Sequence, residues 1–167
     1  KMPLGHLVDL IWSKKNYLVF LGAGLIGLSI SIMYGLIVHT ETMVQFLSVE
    51  TWFVVSVLLS PVGYVIQDVV ADAMTVEAVP QYNNQGESFS QSEIKVMHTT
   101  MQTLGRFAII TGTILVAFSN IIIFSNSQGL TETEKVSLYG SVYLWALIIP
   151  FISVLGVFLS FYLKQKQ

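Results

Sequence analysis

Four long apolar stretches, set apart by shorter polar ones, organise this chain: residues 17–38, 51–73, 101–125 and 142–163. An α-helix needs roughly 20 apolar residues to cross a hydrocarbon core about 30 Å thick, and each stretch meets that length. The pattern predicts an all-α integral membrane protein with four transmembrane helices. The polar segments alternate in charge. Residues 1–16 carry Lys1, Lys14 and Lys15, the segment 77–100 carries Lys95, and the chain closes on Lys164 and Lys166. Between them, residues 39–50 hold Glu41 and Glu50 without a lysine or arginine, and Lys135 stands beside Glu132 and Glu134. By the positive-inside rule, 1–16 and 77–100 are cytoplasmic loops and the chain is multi-pass, starting and ending inside.

Composition agrees with that pattern and removes other classes. Hydrophobic residues make up 53% of the chain and charged ones 11%, with a mean hydropathy of +0.69, outside the range of a soluble domain. A net charge of −2 offers no basic field, so no nucleic acid partner is expected. With no cysteine and three scattered histidines, no metal site or other cofactor is expected either. The chain has no phosphate-cradling glycine loop, nucleophile elbow or His-Glu-x-x-His pair, which argues against an enzyme. It opens on Lys1-Met-Pro-Leu and stops just after the fourth stretch, so it reads as a piece of a longer polytopic protein.

Within the stretches, the small residues Ala23, Gly27, Ser31 and Gly35 recur every four positions and line one helical face suited to close packing. The second stretch places Trp52 in the interfacial belt and Pro61 and Gly63 at mid-bilayer, where a kink is expected; Pro150 predicts another in the fourth. Ser60, Tyr64, Gln67, Asp68 and Thr75 share a broad polar face. Charge then gathers at Asp68, Asp72 and Glu77. A carboxylate near a helix centre costs about 2.5 to 3.5 kcal/mol and less toward the interface, so Asp68 most needs a reason to be there.

Residues 80–92 are polar and rich in loop formers and read as a flexible linker, followed by a lead-in helix from Ser92. The third stretch carries Thr99, Arg106, Thr113 and Asn120 at seven-residue spacing, with Gly105, Ala108 and Gly112 offering close approach. Arg106 lies about as deep as Asp68, so a pair with Asp68 or Asp72 is geometrically sensible. Three readings stay open for these charges: an ion pair that holds the bundle, a coupling site in which one of two carboxylates a turn apart takes up a proton, or an Arg106 that snorkels to the interface.

Two segments resemble a known family. Gly5-His-Leu-Val-Asp9 with Ser13-Lys14-Lys15 is similar to the loop between the second and third helices of the major facilitator superfamily. Gln67-Asp-Val-Val-Ala-Asp-Ala-Met-Thr-Val-Glu77 resembles the fourth-helix signature of its folate-biopterin transporter family, with matching spacing of Asp68, Asp72 and Glu77. The resemblance implies helices three to six of a twelve-helix, proton-symporting transporter of folate or pterin-like substrates; the sequence does not distinguish a plasma, inner or thylakoid-type membrane. Carried over, Asp68, Asp72, Gln67, Tyr64 and Arg106 serve substrate or proton coupling, and Asp9, Lys14, Lys15 and Glu77 form a cytoplasmic gate. The implied partners are the lipid bilayer, the substrate and the remaining half of the transporter. The rival reading is a non-transporting subunit or assembly factor that docks a transporter-like bundle on a larger membrane complex.

Overall fold

A computed structural model describes residues 15–165, apart from Asn84, Asn126 and Gln128. Its helices are α1 (Lys15–Val38), α2 (Thr40–Val44), α3 (Val49–Glu77), α4 (Gln91–Phe124), α5 (Glu132–Ala146) and α6 (Ile148–Gln165). The described residues contain no strand, only one bridge between Tyr82 and Ser88. Four segments are long and apolar enough to cross a membrane: Tyr17–Val38, Val49–Glu77, Gln91–Phe124 and Glu132–Leu159. Helix is the expected solution for such sequences, because it satisfies every backbone group within the segment where no water can. The chain is a membrane protein, and it divides into two compact units. Among the described residues, one comprises those up to Val70 and from Leu130 onward, and the other those within 71–129.

The first unit is built around α1, which packs antiparallel neighbours on two opposite faces. Toward α3, Gly22 meets Gly63 and Ser29 meets Ser56. A Cβ built on Gly22 would lie 2.9 Å from the Gly63 carbonyl oxygen, and one on Gly63 would lie 2.7 Å from that of Gly22. Only residues without side chains allow this approach. One helical turn pair further along, the buried Ser29 hydroxyl donates to the Ser56 carbonyl at 2.8 Å, and Ser56 Oγ returns a bond to the Ser29 carbonyl at 3.0 Å. The other face of α1 meets α5 and α6: Val38 presses on Gly140, Gly27 lies under Pro150, and the Phe20 and Phe158 rings meet edge to face at 5.6 Å. Of the expected small-residue ladder, Ala23 is buried and Gly35 receives the Met43 side chain, whereas Ser31 is exposed and bonds back to the Gly27 carbonyl.

Three expectations change. The fourth stretch is not one helix over 142–163: α5 starts at Glu132, behind a Thr131 capping box, and ends at Ala146, and α6 starts at Ile148. The cause lies in Pro150. It has no N–H for the Ala146 carbonyl, so the helix is interrupted at Leu147 and the proline sits in the first turn of α6, where a missing donor is harmless. Pro61 acts differently, since α3 runs through it without interruption and continues to Glu77, beyond the expected end at residue 73. Likewise, the expected lead-in segment and the third stretch are one 34-residue helix, α4.

The second unit is a helical hairpin made of the end of α3, a short connection and α4. Hydrogen bonds from the Asn83 side chain shape the connection. Asn83 Oδ1 accepts from the Gln85 and Glu87 amides at 2.9 Å each, and the Asn83 amide nitrogen donates to the Glu87 carboxylate at 3.1 Å. Gly86 supplies the left-handed residue this turn requires, at φ 82°. A capping box then starts α4. The Ser90 hydroxyl accepts from the Glu93 amide, and the Glu93 carboxylate accepts from the Ser90 amide at 2.8 Å.

Candidate functional site

The second unit holds one mixed-charge cavity. It has a volume of about 480 Å³ and is lined by Asp72, Thr75 and Val76 of α3 and by Met101, Gln102, Gly105, Arg106 and Ile109 of α4. The spacing explains the assembly. Asp72, Thr75 and Val76 fall on one face of α3 at helical intervals, and Met101, Gly105 and Ile109 fall on one face of α4, with Gln102 and Arg106 on its flank. The hairpin turn makes the two faces confront each other.

A carboxylate therefore stands on one wall and a guanidinium on the other, and both side chains are exposed. Among the described residues neither is in an ion pair, whereas Lys135 and Glu132 form one at 2.8 Å. Asp72 and Arg106 thus share a cavity without closing on each other. The rest of the lining sets its character. The Thr75 hydroxyl is turned to the Asp72 carbonyl at 2.6 Å, Gln102 adds an amide, and Val76, Met101 and Ile109 give apolar walls.

The remaining candidate residues are dispersed. Gln67 belongs to the α1 seam: its Cγ packs on Gly22 and its amide nitrogen donates to the Val19 carbonyl at 3.4 Å. Tyr64 and Asp68 are exposed on α3, turned away from the buried line Ser56, Gly63 and Val70. Glu77 is the last residue of α3 and is exposed. Lys15 is the first residue of α1, while Asp9 and Lys14 lie outside the described residues. Of the expected kink residues, Pro61 is exposed, Gly63 is buried in the seam, and Pro150 is buried over Gly27.

Gln102 is a lining residue outside the expected set, and its place one turn before Arg106 is the sequence signal for it. By sequence, Gly105 is expected to serve helix packing. A Cβ added at Gly105 or Gly112 meets nothing within 4 Å, so these glycines accommodate no close neighbour in this structure, and Gly105 lines the cavity instead. Comparison of the chain with protein-family models, with curated proteins and with solved structures gives no match.

Proposed function

We propose that this chain is part of a secondary active transporter that couples proton movement to the transport of folate or pterin-like substrates. In this reading it is a member of the folate-biopterin branch of the major facilitator superfamily, and its membrane segments correspond to helices three to six of twelve. The observation that carries it is the cavity between α3 and α4, with Asp72 and Arg106 on facing walls of helices long and apolar enough to cross a membrane. An ionisable side chain inside a span is costly, and such residues are generally kept for a pathway or a relay. A pterin ring has a donor-rich edge for a carboxylate and a carbonyl for a guanidinium.

In this reading the same pair carries the proton coupling. With Asp72 ionised, the cavity is neutral overall and takes a neutral, polar-edged ring. Protonation of Asp72 leaves Arg106 uncompensated and changes what the cavity prefers to hold. Asp68, one turn earlier and exposed, is the second candidate carrier. The lysine distribution supports an orientation with the connection between α3 and α4 on the cytoplasmic side. The test is uptake of labelled pterin and folate by the full-length protein in proteoliposomes under an imposed pH gradient. Uptake that is lost in Asp72→Asn and Arg106→Ala, with altered pH dependence in Asp68→Asn, is the expected result. Full uptake in all three removes the assignment.

One observation favours a second reading. Residues 101–122 of α4 are exposed along their whole length, including Leu104, Phe107, Ile114 and Phe118. A subunit docked on a larger membrane complex would use such a surface. That reading expects a stoichiometric partner on purification in mild detergent and no uptake.

A further inference from the structure

Gly105 occupies a position in the cavity that chain packing does not explain. Glycine in the interior of a membrane helix is ordinarily kept for close approach of a neighbour, as at Gly22 and Gly63. At Gly105 a Cβ would meet nothing within 4 Å, and the open space beside it is the cavity itself. Gly105 directly precedes Arg106 and lies one turn from both Met101 and Ile109 on the same wall. A residue without a side chain there leaves bare backbone between two apolar side chains, opposite the wall that bears Asp72.

We propose that Gly105 is the size-determining position of this site: its missing side chain keeps the space between the Asp72 and Arg106 walls open to larger solutes. A side chain at 105 would project into that space and restrict the site to smaller molecules. The inference rests on the reading of the cavity as a solute site, and it adds what decides the size of that solute. Gly112 is the internal comparison. It lies two turns further along α4, is equally open, and is not part of the cavity lining.

The chain contains no cysteine, so a single introduced thiol reports one position without a background from this chain. The probe is Gln102→Cys in the full-length protein in membranes, labelled with a small and with a bulky water-soluble methanethiosulfonate reagent. Gly105→Leu is expected to slow the bulky reagent by about ten-fold or more and the small one by less than about two-fold, as steric exclusion in a fitted pocket does. Gly105→Ala gives an intermediate effect and keeps the test valid if leucine impairs folding, while Gly112→Leu leaves both rates unchanged. Equal access of the bulky reagent with glycine, alanine or leucine at 105 overturns the proposal, as does an equal slowing by Gly112→Leu.

A second arm separates this inference from the transport reading. Pterin, and the single-ring 2-amino-4-hydroxypyrimidine, are tested for protection of Gln102→Cys. Protection by both with glycine at 105, and by the pyrimidine alone with leucine, supports both ideas. If neither compound protects while the reagent-size effect is present, pterin transport is wrong and the role of Gly105 stands.

Discussion

Gly22 of α1 and Gly63 of α3 approach so closely that a methyl group on either would collide with the backbone carbonyl oxygen of the other, at 2.9 and 2.7 Å. A flexible side chain can move aside, but two helix backbones cannot do so without parting. Gly22→Ala and Gly63→Ala are therefore each expected to destabilise the protein by about 1 to 3 kcal/mol, the usual cost of overpacking a tight site. Gly24→Ala, where a Cβ meets nothing within 4 Å, is expected to be neutral or stabilising by up to about 1 kcal/mol. Thermal unfolding in a single detergent, with all three variants compared, decides this; equal Tm values would show that the seam is not tight.

Ser29 and Ser56 exchange hydroxyl-to-carbonyl bonds across the same seam while both are buried. Each single alanine variant is expected to cost about 0.5 to 2 kcal/mol, and the double variant less than the sum of the two. A double-mutant cycle measures that difference. Strict additivity would mean that the two hydroxyls do not act as a pair.

Asp72 and Arg106 line one cavity but form no ion pair, so their removal should leave the fold largely intact. Asp72→Asn and Arg106→Gln are expected to change stability by no more than about 0.5 kcal/mol, as for residues outside the packed interior. Uptake, by contrast, should be lost in both. A large loss of stability without a specific loss of uptake would identify the two as a structural pair instead.

The Ser90 capping box starts a 34-residue helix immediately after a polar turn. Ser90→Ala is expected to cost about 1 kcal/mol locally. Hydrogen exchange of the amides at 91–94 reads it directly, and Ser90→Thr should restore protection. Unchanged exchange in the alanine variant would show that the connection, not the cap, holds this end of α4.

The four membrane segments were legible because apolar runs near 20 residues have few other solutions, and the hairpin cavity was approached through the spacing of Asp72 and Arg106. The partners within the fold were less legible. Gly22 carries a backbone-to-backbone contact with Gly63 although it lies outside the four-residue ladder of Ala23, Gly27, Ser31 and Gly35. Periodicity identifies residues that share a face, but it cannot say which face a neighbour will choose. Gln67 looked like a site residue because it is polar in an apolar segment, yet its amide reaches the Val19 carbonyl of α1. The two prolines looked alike in sequence, and the chain breaks at one and not the other, since tolerance of a missing N–H depends on the surrounding turns.

The hydroxyl groups of α4 bear on how such a helix enters a membrane. Thr99, Thr100, Thr103, Thr113 and Ser119 each donate to the carbonyl four residues earlier, at 2.8 to 2.9 Å. A residue-by-residue hydropathy scale penalises these side chains as if they sought water, although each is already satisfied by its own helix. Wherever α4 meets acyl chains, it is greasier than its sequence. Replacing these hydroxyls with valine or alanine would gain little insertion energy, and the helix could keep its threonines and serines at almost no cost to residence in lipid.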